Sequence, residues 1–260
     1  MSMKLPNAKP KEWPKEWFDN DAFWKANYNF MFGDARAAAI KEDIPKLLAL
    51  APVKGKSVLD LCCGPGFFAV PLARMGYAVT GVDRTAFLLA KARARARAAK
   101  TAVTFVKMDM RDFVRPGLFD LIINMFTSFG YFDDKNEDAA VLKNMFASLK
   151  PGGACVIDVL GKEVLAGIFL PSSAEAMPDG TMIVQRREIF DNWSRIRVTW
   201  TIISKDAVES FPFHHTLYSG MELKDRMETA GFRDVKLYGS LGGVEYDRNA
   251  SRLIAVGRKK

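Results

Sequence analysis

VLDLCCGPGFFAV, residues 58–70, decides how this chain is read. Val58 to Leu61 make a short apolar run of strand type, Gly64 and Gly66 break it, and Phe67 to Val70 resume an apolar helical pattern. A strand, a glycine turn and a helix in that order bring bare backbone up to a ligand at the strand's tip. Cys62 and Cys63 occupy the approach to the turn.

Outward from this stretch the chain alternates strands and helices. SVLDL is followed by the helical FFAVPLARM, stopped by Gly76. YAVTGVD is the next strand, and TAFLLAKARARARAAK a helix capped by Thr85 that buries Phe87, Ala90, Ala94 and Ala98. VTFVKMD and FDLIINMF are strands three and four. Asp133 or Asp134 then caps a helix with Ala139, Leu142, Phe146 and Leu149 on one face, which ends at LKPGG before the fifth strand, ACVIDVL. Apolar strands joined by helices of this length imply an α/β fold with a parallel sheet covered on both faces. Right-handed crossovers put every strand-to-helix loop on one edge of that sheet.

The flanks read differently. At the amino end Trp17, Trp24 and Tyr28 recur at helical spacing as an aromatic stripe, behind turns marked by Pro10 and Pro14; the echo KEW-P-KEW is too short for a structural repeat. A second helix covers residues 35–50 with Asp34 as its cap. After Leu160, TMIVQRREIF and RIRVTWTII flank DNWS as a hairpin, and SFPFHHTLY is a third strand that Pro212 places at an edge. Ser219-x-x-Glu222 is a capping box opening a helix that ends at Gly231, and FRDVKLYG and SRLIAVGRK form an antiparallel pair at the sheet's edge. Residues 1–54 are therefore expected to be a helical lid, 55–160 a ligand-binding core, 161–218 an inserted antiparallel β appendage, and 219–260 the helix and strands that complete the core.

Bulk properties narrow the classes. The 260 residues are 49% hydrophobic and 26% charged, a globular balance. Three cysteines, without a CxxC pair or a histidine cluster, make neither a disulfide framework nor a metal site. No histidine close in sequence activates the Cys62–Cys63 pair as nucleophiles. The formal charge of +8 is concentrated in KARARARAAK, whose basic side chains splay around a helix instead of lining a groove, so a nucleic-acid partner is not expected. No secretion signal is recognisable, and FDLIINMFTSFGYF, carrying Asp120 and Asn124, is too short to span a bilayer. A soluble, cytoplasmic protein is expected; its oligomeric state is not legible.

GPGFFA satisfies the dinucleotide pattern GxGxxG/A, with Asp83 as the acid ending a second strand. Three features point elsewhere. Asp60 closes the first strand just before the turn, where a carboxylate disfavours a pyrophosphate and favours an ammonium. Asp109 ends the third strand in KMDMRDF, suited to an exocyclic amine. The turn begins only after some fifty residues of helix, and LKPGG precedes strand five. A ligand with an amino acid end, a ribose and an adenine but no phosphate fits this set: S-adenosylmethionine.

VLDLCCGPG, GVD, MDMRD, NMFTSFGYF and LKPGG together resemble the class I S-adenosylmethionine-dependent methyltransferases, over roughly residues 55–160 plus the last two strands. The resemblance implies a Rossmann-like, mostly parallel seven-stranded sheet. Cys62 stands where the family usually has its first glycine, a position that accepts small side chains. The resemblance implies a cofactor site of Asp60, Cys62, Gly64, Gly66, Asp83, Arg84, Asp109, Met110 and Asn124. Asp60 then lies near the methionine amino group, Asp83 on the ribose hydroxyls, and Asp109 with the Met110 backbone at the adenine. Tyr28, Phe126, Phe129 and Tyr131 are candidates for the acceptor pocket. His214 or His215, which point to opposite faces of one strand, is the candidate general base. The layout is similar to small-molecule N- and O-methyltransferases, glycine N-methyltransferase among them. An RNA-modifying methyltransferase, an NAD(P)-dependent oxidoreductase using GPGFFA and a non-catalytic cofactor-binding module stay open as alternatives at this point.

Overall fold

A computed structural model describes residues 16–260. The expected turns at Pro10 and Pro14 and most of the KEW echo lie outside the described residues. The aromatic segment is not one helix. Trp17–Asp19 is a single 3-10 turn, α1 spans Asp21–Ala26 and α2 Tyr28–Met31, and only α3, Asp34–Leu50, is long. Asn20, Asn27 and Gly33 interrupt the run. Gly33, not Asp34, occupies the cap of α3. The stripe survives the breaks, because Trp17 and Trp24 are buried and Tyr28 is half-buried.

The central sheet has seven strands in the order β10-β11-β5-β4-β1-β2-β3. These are β1 Ser57–Leu61, β2 Ala78–Asp83, β3 Thr104–Lys107, β4 Phe119–Asn124, β5 Leu149–Val159, β10 Arg233–Tyr238 and β11 Leu253–Arg258. β1 to β5 pair in parallel, and β11 runs antiparallel to both β5 and β10. Helices α4 (Ala69–Arg74), α5 (Ala86–Ala98), α6 (Lys135–Ser148) and α8 (Gly220–Thr229) connect the strands. Two apolar clusters, built on different strand residues such as Leu59 and Ile122 in one and Val58 and Leu121 in the other, show that both faces of the sheet are covered.

Several local expectations are corrected. Phe67 and Phe68 remain in the glycine turn, so α4 starts at Ala69. α5 buries Leu88, Leu89, Ala92 and Ala96, while Ala90, Ala94 and Ala98 are exposed and Phe87 is half-buried. The alternation of alanine with arginine offers an alanine to every face, so the leucines set the helix's rotation. α6, capped by the Asp134 side chain on the Asn136 amide, buries Asp138, Val141, Leu142, Met145 and Ser148 rather than Ala139 and Phe146. LKPGG belongs to β5 itself, because Leu149 already pairs with Phe119. Lys259 Nζ takes up the carbonyls of Phe146, Ala147 and Leu149, closing the end of α6.

The appendage is a second, four-stranded antiparallel sheet in the order β6-β7-β8-β9. Three strands were expected: β7 Met182–Phe190, β8 Arg195–Ile203 and β9 Val208–Thr216, with Pro212 on the edge strand β9. The hairpin turn carries positive φ at Asp191, Asn192 and Trp193. Helix α7, Lys162–Ile168, and strand β6, Ser172–Ala176, were not expected; five polar or small residues at β6 carry no apolar alternation to betray a strand. One face of this sheet packs on the amino-terminal aromatics: Trp17 lies 4.9 Å and Phe23 5.6 Å from the Phe213 ring. The capping box of Ser219 and Glu222 is formed as read.

Candidate active site

The tips of β1, β2 and β4 and the loop after β3 converge on the turn after β1. Cys62, Gly64 and Gly66 all have positive φ, at 62°, 51° and 79°. The Cys63 amide donates to the Val82 carbonyl (2.9 Å), and the Gly64 amide to Asp83 Oδ2 (2.9 Å), so β2 holds the turn in place. The two glycines differ in role. A Cβ on Gly64 would meet only the Phe32 ring, at 3.7 Å, so the positive φ and not crowding calls for glycine there. A Cβ on Gly66 would meet Ala92 Cβ at 3.2 Å, so Gly66 serves the approach of α5 and not the ligand path expected of it.

Asp60 is 2% exposed and its Oδ2 has no partner. Burial pushes its pKa up to about 7, against a bond from the Ala69 amide. A buried, unsatisfied carboxylate oxygen is costly unless a donor completes it. Asp83 is also raised by burial, and its two oxygens accept from the Gly64 and Thr85 amides at 2.9 and 2.8 Å. Each oxygen keeps a further lone pair for a hydroxyl.

Asp109 stands beside the cavity as the sequence suggested, but arginines already take up its oxygens. Its Oδ1 accepts from the Arg111 amide (2.8 Å) and Nε (3.1 Å), and its Oδ2 from Arg84 Nη1 and Arg111 Nη2, both at 2.8 Å. Burial pushes this carboxyl up, and the arginines more than reverse it, leaving it below its ordinary value. Arg84 is thus a partner of Asp109. Asn124 is fully buried with Nδ2 on the Leu61 carbonyl (3.0 Å), tying β4 to β1, and does not line the cavity.

A small cavity of about 70 Å³ lies beside the tip of β2 and the loops after β3 and β4. Cys62, Asp83, Arg84, Asp109, Met110 and Tyr131 line it, joined by residues the sequence reading missed or left unassigned: Phe18, Trp24, Thr85, Met108, Ser128 and Phe132; Asp60, Gly64 and Gly66 are not among its walls. Trp24 belonged to the visible stripe; Phe18 beside Trp17 carried no separate signal. Burial pushes the Cys62 thiol far up, consistent with packing and not nucleophilic chemistry; its Sγ lies 3.4 Å from Met110 Sδ.

The candidate acceptor residues separate. Tyr131 lines the cavity, its phenol pushed up by burial. Phe129 is fully buried against Tyr218 (5.4 Å) and belongs to the core, a correction of its reading as a pocket residue. Phe126 is 36% exposed and borders an open groove with Phe30 and Arg36, away from the cavity. Tyr28 packs on Phe32 and Phe87 under Lys91 and does not line the cavity. Phe126 and Thr127 adopt left-handed backbone at φ 57° and 58°, uncommon for a phenylalanine and more so for a β-branched residue. Asp158 holds that turn: it accepts the Phe126 amide (3.0 Å) and the Thr127 amide (2.8 Å, on its carbonyl), and Arg252 pairs with its Oδ1 at 2.7 Å. As another acid near a strand end, Asp158 was legible in type, but its oxygens are already engaged.

The histidines separate too. His214 Nε2 lies 2.6 Å from Asp133 Oδ1, beside Arg195, on the side of β9 facing the start of α6. His215 lies on the other face, its ring 6.2 Å from that of Tyr131. Its Nδ1 approaches the Thr216 carbonyl at 3.2 Å; a carbonyl only accepts, so Nδ1 carries the proton and Nε2 the lone pair. Burial pushes the His215 pKa down to about 4.

Residues 58–153 match the family model of a methyltransferase domain. A putative methyltransferase of Bacillus subtilis, YqeM, is 32% identical over 146 residues, 56% of this chain and 55% of that protein. A ubiquinone biosynthesis O-methyltransferase of Vibrio parahaemolyticus is 29% identical over 133 residues, 49% of this chain and 55% of that protein. The chain thus spans little more than half the length of these curated relatives. Among solved structures, an S-adenosylmethionine-dependent methyltransferase of Clostridium acetobutylicum superposes with a TM-score of 0.76 at 14% identity, covering 92% of this chain and 98% of that one. The sugar N-methyltransferase KedS8 of Streptoalloteichus superposes at 0.62 and 21% identity, covering 100% and 99%. At such identities the likeness is one of fold, and it extends over the β appendage. Among the described residues no helix is long and apolar enough to cross a membrane, and no group of three or more metal-ligating side chains occurs.

Proposed function

We propose that residues 58–153, which match the family model of a methyltransferase domain, form a class I S-adenosylmethionine-dependent methyltransferase core, and that this chain transfers a methyl group to a nitrogen or oxygen of a small molecule. The observation that carries the cofactor assignment is Asp60: a buried carboxylate with an orphan Oδ2 at the foot of the glycine turn. Such a group asks for a cation, such as the methionine ammonium, and repels a pyrophosphate, which argues against the NAD(P) reading of GPGFFA. Asp83, a wall of the cavity, keeps lone pairs for two ribose hydroxyls. Bound there, S-adenosylmethionine supplies an activated methyl group on a sulfonium.

The chain's own contribution is orientation and exclusion of water. Phe18 and Trp24 of the aromatic segment wall the cavity, and the second sheet packs against that segment through Phe213, which favours a small acceptor over a polynucleotide. Tyr131, whose phenol stays protonated, offers a hydrogen-bonding group to an acceptor at the cavity wall. His215, whose ring lies 6.2 Å from that of Tyr131, is not a wall of the cavity and burial lowers its basicity; it serves as the base only for an acceptor that reaches past Tyr131. His214 is engaged with Asp133 and is assigned to structure. The relatives include an O-methyltransferase and a sugar N-methyltransferase, so both nucleophiles are kept.

Calorimetric titration with S-adenosylmethionine and with NAD(P), followed by assay of S-adenosylhomocysteine release against small amines, amino sugars and phenols, tests this reading. Micromolar binding of the sulfonium compound and turnover with a small acceptor are expected. Preferential binding of NAD(P) would overturn the cofactor assignment, and binding without any turnover would favour a non-catalytic module.

A further inference from the structure

The amino-terminal segment is attached to the rest of the chain in two chemically different ways. Its root is aromatic. Trp17 packs 4.8 Å from Tyr131 and 4.9 Å from Phe213, and its indole N–H donates to the His214 carbonyl at 2.9 Å. Its outer edge is ionic. Glu16 accepts from Arg111 Nη2 at 2.8 Å and lies 3.5 Å from Arg84 Nη2, which also pairs with Asp19. Those two arginines stand on the loops after β2 and β3, and both are gripped from beneath by Asp109; Glu137 of α6 holds Arg111 at 2.7 Å. Arg84 also lies over the Phe18 ring, 4.8 Å from its centre.

Phe18 and Trp24, between the aromatic root and the ionic edge, are walls of the cavity. Lifting the edge from the core therefore moves two walls of the cavity. The acids that hold the edge are about half exposed, at 46% for Glu16 and 47% for Asp19, so salt screens them readily. Trp17, Phe18 and Phe23, at 3–5% exposed, are anchored by packing that salt does not weaken.

We propose that Glu16 and Asp19 are positioning residues that latch the amino-terminal segment over the cofactor, with Arg84 and Arg111 as the catch, and that this latch gates cofactor entry and exit. The inference rests on the cofactor assignment above. It has a kinetic signature that simple structural support lacks. The latch joins protein to protein and adds no contact to the ligand, so it slows entry and exit together. Loosening it raises both rate constants and leaves the dissociation constant nearly unchanged.

The test is stopped-flow binding and displacement of S-adenosylhomocysteine on the full chain, for the wild type and the doubly neutralised Glu16→Gln/Asp19→Asn variant. Association and dissociation rates of the variant are expected to rise about tenfold, with the dissociation constant changed less than about threefold. In the wild type both rates rise toward those of the variant between about 50 and about 500 mM salt. Glu16→Asp, which keeps the charge on a shorter arm, gives an intermediate rate. A weakened dissociation constant at unchanged association rate, or wild-type rates indifferent to salt, would overturn the latch. The wild-type salt series stands even if the variant misfolds. Absence of any S-adenosylhomocysteine binding by the wild type would instead overturn the cofactor assignment.

Discussion

Asp83 Oδ2 accepts the Gly64 amide at 2.9 Å, so the acid at the tip of β2 is both a support of the glycine turn and a wall of the cavity. Its Oδ1 does the same for Thr85 at the start of α5. Asp83→Ala therefore removes two backbone acceptors along with any ribose contact. Loss of about 1–3 kcal/mol of stability per orphaned amide is expected, with weaker cofactor binding on top. Asp83→Asn, which retains one carbonyl oxygen, separates the two effects: near-native melting with at least tenfold weaker S-adenosylhomocysteine binding by calorimetry supports the ribose role. Unchanged affinity in that variant moves the site elsewhere.

Asp60 predicts a pH dependence. The folded protein holds this proton up to about pH 7, whereas an unfolded aspartate releases it near 3.8. Between those values the folded state binds more protons, so this group's contribution to stability falls as pH rises through the window. A cationic ligand beside Asp60 prefers the ionised form. Cofactor affinity should rise from pH 5.5 to 7.5 (about one protonation step), with a proton released on binding near pH 6.5. Titration in buffers of different ionisation enthalpy measures that proton. Asp60→Asn should abolish both the release and the pH trend.

Gly66 predicts a loss through packing. A side chain there meets Ala92 at 3.2 Å and adopts a φ of 79° that suits glycine. Gly66→Val should cost about 1–3 kcal/mol of stability in strain and overpacking, read by thermal or urea unfolding. Ala92→Gly in the same chain should restore part of it. A melting point unaffected by Gly66→Val would contradict the packing described.

The two histidines predict opposite outcomes. His215→Gln should lower turnover by about 10²–10⁴-fold for an acceptor that needs deprotonation, with cofactor affinity intact. His214→Gln should lower stability through the lost Asp133 contact and leave turnover of the folded fraction unchanged. Reversal of these two patterns would exchange their roles.

Asp158→Ala removes the partner of Arg252 and of the Phe126 amide. Breaking this part-buried pair is expected to destabilise by about 1.5–3 kcal/mol. Exchange of the amides of residues 126 and 127 should accelerate above the global opening rate. If those amides stay as protected as the core, another contact holds the left-handed turn.

The chain's own letters were enough for the sheet. Strand periodicity, the glycine break, the caps at Asp134 and Ser219 and the edge proline are local signals, and local backbone preferences obey them. The same locality explains why Asp60 and Asp83 at the tips of β1 and β2, and Asp109 in the loop after β3, were legible as a set: a strand's end is visible in sequence, and parallel connection places such ends on one edge.

What those acids do was decided by neighbours far along the chain. Asp109 is engaged by Arg84 and by Arg111, which also meets Glu16, 95 residues away, and no spacing rule foretells that. The alanine–arginine helix offered several faces, and only contact with Gly66 and the sheet selected Leu88, Leu89, Ala92 and Ala96. Phe126, Phe129 and Tyr131 look alike on paper, yet a double left-handed turn held by Asp158 sends one to an open groove, one to the core and one to the cavity. Burial, charge pairing and the direction of a side chain are properties of the assembled molecule, set by contacts across long sequence separations, whereas strand, helix and turn are set within a few residues.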